Sequence, residues 1–106
     1  MATVAAAVRN MLRRGAVRPA RPAGGVPGGA VTVTGTINPA GGTVQVAWGT
    51  GHHTPPVSGW SAPAASDGQG NWSVATTYPG AGTYYLWARR ADYPQVASPV
   101  GPVAVA

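Results

Sequence analysis

Apolar and polar residues alternate at period two in four separate blocks of this chain. Val31, Val33 and Ile37 alternate with Thr32, Thr34 and Thr36, and Val44, Val46 and Trp48 alternate with Thr43, Gln45 and Ala47. Trp72, Val74 and Thr76 fall on one face with Ser73, Ala75 and Thr77 on the other, and Tyr84, Leu86 and Ala88 oppose Thr83, Tyr85, Trp87 and Arg89. This period marks strands with one buried face. The last two blocks flank Pro79-Gly80-Ala81-Gly82, where Pro fixes φ and Gly supplies positive φ, so Gly70–Arg90 reads as a hairpin-like pair. Asn38–Gly42 reads as a turn. Gly49–Asp67 is the least regular part, with a short strand predicted near Ser58–Ser61. Gln95–Ala106 carries Val-rich pieces broken by Pro99 and Pro102, as in an edge strand. About seven short strands with turns between them predict an antiparallel β-sandwich.

The period changes near the N-terminus. Val4, Val8, Met11 and Leu12 follow the i, i+4, i+7, i+8 spacing of an amphipathic helix over Thr3–Arg14, with Thr3 as N-cap and Gly15 as terminator. A helix this short is marginal alone in water and calls for a partner. Residues 15–29 hold five Gly and three Pro and read as an extended linker. The expected organisation is therefore a basic arm over residues 1–29 and an all-β domain over residues 30–106.

Composition sharpens that division. The chain has 16 Gly and 11 Pro, but 44% of residues are hydrophobic and fall in blocks, so the Gly and Pro mark turns more than disorder. There is no Cys, so no disulfide supports the domain. All seven basic residues are Arg. Arg9, Arg13, Arg14, Arg18 and Arg21 lie in the arm, whereas Arg89 and Arg90 are matched by Asp67 and Asp92. The whole net charge of +5 thus belongs to the arm. Such asymmetry marks an interaction tail. A secretory signal fits poorly, because the basic residues follow the apolar run, and no segment is apolar enough for a membrane span.

Several of these stretches resemble a known family. Gly70-x-Trp72-Ser73, then Gly82-Thr83-Tyr84-x-Leu86-x-Ala88, then Asp92, is similar to the second half of bacterial immunoglobulin-like repeats. Val31–Thr36 followed by Gly42–Val46 resembles the opening of the same module. The resemblance covers residues 30–106 and implies an immunoglobulin-like sandwich, in which Leu86 fills a core layer. Tyr84 is then a candidate tyrosine corner. Such modules occur in tandem in surface proteins and singly in phage structural proteins. One copy behind a basic arm resembles the second setting.

Catalytic chemistry has little material here. There is no Glu, Lys or Cys, so His52 and His53 are the candidate general bases, and no motif joins them to Ser and Asp. Adjacent His on an extended segment would point to opposite faces, and carboxylates are not clustered, so no metal or other cofactor is expected. Trp48 and Trp72 are expected in the core. Trp60, Tyr85, Trp87 and Tyr93 are candidates for an outer-face contact with glycan or protein, with Trp87 lying under the Arg89 stem or Pro loops as the plainer reading.

The arm is the stronger signal, through Val4, Val8, Met11 and Leu12 together with Arg9, Arg13, Arg14, Arg18 and Arg21. Arg suits carboxylates and phosphates alike, but a nucleic-acid arm needs no apolar stripe. The expectation is a non-enzymatic virion protein of a bacteriophage: a capsid decoration or cement protein, assembled in the bacterial cytoplasm. Its partner would be the major capsid protein, with self-association of arms also open. An adhesion or glycan-binding module and an arm-mediated nucleic-acid binder are the alternatives.

Overall fold

The computed structural model describes residues 16–106; the helix expected over Thr3–Arg14 lies outside them. Seven strands follow in order: β1 (Ala16–Pro19), β2 (Ala30–Asn38), β3 (Thr43–Gly49), β4 (Ala64–Ala65), β5 (Asn71–Thr77), β6 (Gly82–Arg90) and β7 (Tyr93–Val105). They form one sheet of order β1-β2-β5 and another of order β4-β3-β6-β7. All strand pairings are antiparallel.

The alternation places each residue. Val33 and Ile37 of β2, Trp72 and Val74 of β5, Val44 and Val46 of β3, and Leu86 and Ala88 of β6 all point into one buried layer between the sheets. Thr32, Thr34, Ser73 and Ala75 lie on the solvated side. A second cluster caps one end of this layer, where Tyr78, Val103 and Val105 pack with Val31, Trp48 and Tyr84. The Trp48 ring lies 5.6 Å from Tyr78 and 6.3 Å from Tyr84. Trp48 is half-buried there, and its indole N–H donates to the Thr77 carbonyl at 3.0 Å.

Two sequence expectations change. β5 and β6 do not form a hairpin, because β5 pairs with β2 while β6 lies between β3 and β7. Periodicity fixes which face a residue occupies and leaves its partner strand open, so Tyr78–Ala81 turned out to be a crossing between sheets. Likewise, β4 falls at Ala64–Ala65, while Ser58–Ser61 forms no strand. Ser61 still bonds along β3, its N–H donating to the Val46 carbonyl and its hydroxyl oxygen accepting from the Val46 N–H.

The segment read as linker is also part of the sandwich. β1 pairs with β2 from Ala16↔Asn38 to Pro19↔Gly35, and Val17 is fully buried in the core. The chain then crosses to the other sheet, where Gly25 bridges Val105 in parallel and the Ala106 N–H donates to its carbonyl. Glycine serves here as clearance. A Cβ on Gly25 would collide with the Tyr78 ring, and one on Gly35 would collide with the Arg18 carbonyl and the Trp72 indole. The Tyr78 hydroxyl donates to the Ala23 carbonyl and closes the crossing. That tyrosine-to-backbone bond was expected of Tyr84, whose ring instead covers the turn at Gly82.

The pairing also assigns the turns to the ends of the sandwich. Asn38–Gly42, Asp67–Gly70 and Ala91–Asp92 gather at the end where β1 begins: Ala16 pairs with Asn38, the Ile37 N–H donates to Gly70, and the Ala91 N–H donates to Thr43. Tyr78–Ala81, Gly25–Gly29 and Ala106 lie at the other.

Substituting Trp72→Ala or Leu86→Ala should cost about 3–5 and 2–5 kcal/mol respectively, read as a lower denaturation midpoint. A chain starting at Ala16 should melt like the full chain. One starting at Ala30 loses β1 and should be less stable by at least the roughly 1.5–3 kcal/mol of burying Val17. Equal midpoints for the two truncations would place β1 outside the cooperative unit.

Candidate interaction surfaces

Among the arm residues, Val4, Val8, Arg9, Met11, Leu12, Arg13 and Arg14 lie outside the described residues. Arg18 sits on β1 opposite Thr36, and Arg18 and Arg21 are both exposed. Their guanidinium groups therefore belong to the surface of the sandwich, on the segment that carries the chain into it.

The outer face of the four-stranded sheet is covered by residues 50–63. Its outward residues stand in register, with Gln45 opposite Arg89, Ala47 opposite Trp87 and Gly49 opposite Tyr85. Trp87 is buried, and its indole N–H donates to the Gly51 carbonyl at 3.0 Å. Gly49, beside it, leaves room for both the Trp87 ring and Pro56. Further along, the Arg89 guanidinium lies 4.1 Å above the Trp60 ring, a cation–π contact. Arg89 Nε donates to Gln45 Oε1 at 3.1 Å, Gln45 Nε2 donates to the Ser61 carbonyl at 2.9 Å, and Trp60 Nε1 donates to the Pro56 carbonyl at 3.0 Å. This chain of contacts fastens the loop to the sheet.

The four aromatic residues that were candidates for an outer patch are thus dispersed, and Trp87 takes the plainer position under the Pro loop. Trp87 is covered by the Pro loop, Trp60 is half-buried against Arg89, and Tyr85 is half-buried beside His52 at 5.2 Å. Tyr93 is exposed as the first residue of β7, opposite Arg90, at the end where β1 begins. Of the four, Trp60 and Tyr85 remain on the outer face with some exposure, and Val57 stands almost fully exposed at the loop tip.

His52 and His53 were expected to point apart, as on an extended strand. They occupy a bend instead, and their rings lie 3.9 Å apart at 41°. Both are exposed, at the Gly49 end of β3. Asp67 and Asp92 lie beyond its Thr43 end, a strand length of about 20 Å away at about 3.3 Å per residue. No His–Asp pair forms. Among the described residues, no group of three or more His, Cys, Asp or Glu could hold a metal ion.

The acids instead organise turns. Asp67 Oδ1 accepts from the N–H groups of Gln69 and Asn71 at 2.8 and 2.9 Å, and these bonds, to Asn71 first and Gln69 second, hold its carboxyl below the ordinary range. Arg90 entered the sequence reading only as one of two charges balanced by Asp67 and Asp92. It is buried, and its Nε donates to Asp92 Oδ1 at 3.1 Å. Its other nitrogens donate to the Pro39 and Gly41 carbonyls at 3.1 and 3.3 Å. Arg90 therefore ties the β2–β3 turn to the β6–β7 turn. The sequence hint was its place in phase with Leu86 and Ala88.

Comparison of this chain with protein-family models, with curated proteins and with solved structures gave no match.

Replacing Arg90 with Met should cost about 1–3 kcal/mol, since the two turn carbonyls lose their donors. For Asp67, the depressed folded pKa means its contribution is present above the ordinary carboxyl value of about 3.9 and is lost as pH falls through the folded value. Melting the wild type and Asp67→Asn from acid to neutral pH should show the gap between them closing on the acid side.

Proposed function

We propose that this protein is a non-enzymatic structural component of a phage or phage-like particle, a capsid decoration or cement protein. In this reading it docks through its N-terminal arm and displays an immunoglobulin-like domain. Support for the immunoglobulin-like assignment comes from strand order. β1-β2-β5 face β3-β6-β7, which is the ABE-against-CFG arrangement of that fold, and Trp72 and Leu86 share its core layer. The virion setting rests on similarity at the level of fold and organisation to single-module phage structural proteins.

The observation that carries the docking reading is the uneven use of the described arginines. Arg89 and Arg90 are engaged inside the domain, whereas Arg18 and Arg21 are exposed on the segment that brings the arm in. The arm joins the sandwich at Ala16, beside the Asn38–Gly42 turn. A partner gripping the arm would therefore meet that end of the domain, leaving the Tyr78–Ala81 end to project outward.

Co-sedimentation with empty shells of the particle's major capsid protein tests this. Val8→Asp with Met11→Asp should abolish loading, as should removal of residues 1–15, because carboxylates are costly to bury in an apolar groove. Arg9, Arg13 and Arg14 changed to Gln should weaken loading less, with a partial dependence on salt. A nucleic-acid arm would give the reverse order and a steep fall of DNA affinity with salt. Stripe variants that still load would overturn the docking model.

A further inference from the structure

The two sheets have four edges, and three of them are closed to further strands. β1 is four residues long and ends in Pro19, β4 has two residues, and β7 carries Pro94, Pro99 and Pro102 with two register shifts against β6. Short strands, prolines and bulges are the usual means of blocking an edge. β5 has none of these. Its seven residues, Asn71–Thr77, include no charge, no Pro and no Gly.

The hydrogen bonds fix which β5 groups face outward. The Tyr78 N–H donates to Gly29 and its carbonyl accepts from Gly28, while the Gly70 carbonyl accepts from Ile37. Even-numbered residues therefore bond toward β2, and Asn71, Ser73, Ala75 and Thr77 point their backbone groups away from it. Both Asn71 groups are taken by Asp67, and the Thr77 carbonyl accepts from Trp48. Among the described residues, that leaves both groups of Ser73, both of Ala75 and the Thr77 N–H as an unused ladder along the exposed edge.

We propose that this edge pairs antiparallel with the same edge of a second copy, about a two-fold axis at Ala75. That register sets Ala75 opposite Ala75 and Ser73 opposite Thr77. It employs every unused group, and the Thr77 carbonyl accepts a second bond from Ser73. The two-fold brings no like charges together, because β5 has none, and the facing outer side chains are small and exposed. The result is one six-stranded sheet across two copies, with its Thr- and Ser-rich outer face continuous. Self-pairing of this kind does not depend on the proposed shell partner.

Sedimentation of the full chain over a range of concentrations gives the test. The mass should rise from 10.6 kDa toward twice that value. Amide exchange at Ser73, Ala75 and Thr77 should slow with concentration, while the neighbouring even positions stay protected throughout. Ala75→Lys places like charges directly opposite each other and should return the chain to monomer, melting as the wild type does at dilutions where it is monomeric; Ala75→Thr should keep the dimer. A chain monomeric at every concentration overturns the proposal. So does a dimer that survives Ala75→Lys and disappears on removal of residues 1–15, which would assign association to the arm.

Discussion

Among the described residues the two sheets share no strand ladder, and the chain has no cysteine to join them, so their attachment depends on the side chains between them. Val17, Val33, Ile37, Trp72 and Val74 from one sheet meet Val44, Val46, Leu86 and Ala88 from the other. Much of the remaining polar architecture keeps this thin layer closed at its borders. Tyr78 and Trp48 seal one end, Arg90 ties two turns together at the other, and β1 with the Gly25 crossing closes the side nearest β7. A layer about 10 Å deep has little redundancy, which is why single residues at its borders carry so much.

Faces were legible in the sequence, and partners were not. The alternation in β2, β3, β5 and β6 placed Trp72 and Leu86 inward, because a buried face must be apolar at every second position. It contained no information on whether β5 returned to β6 or crossed to β2, since a Gly/Pro turn is compatible with either. Glycine caused the larger error. Read as freedom, Gly24, Gly25, Gly28 and Gly29 suggested a linker; at Gly25 the missing side chain makes room for Tyr78 instead. Trp87 shows the same limit: its outward phase was right, but its cover comes from a loop that has no periodicity.

At the candidate surfaces, sequence reasoning found the charge asymmetry but missed what the domain's own ions do. Arg90 was counted only toward a charge balance, although it is buried and its donors hold the backbone of another turn. The adjacent histidines were separated by assuming extended backbone, and a bend brought their rings together. The first error comes from contacts between segments dozens of residues apart, the second from a local bend that a period-two pattern does not signal.

The Gly25 crossing has a geometric corollary for assemblies. It holds Ala106 by a backbone bond at the end of the sandwich away from Ala16. Anything joined after Ala106 would leave the sandwich at the end opposite the one where Ala16 enters it. The two ends of the described chain therefore lie at opposite poles, and a peptide or second domain fused at Ala106 would begin at the pole away from Ala16.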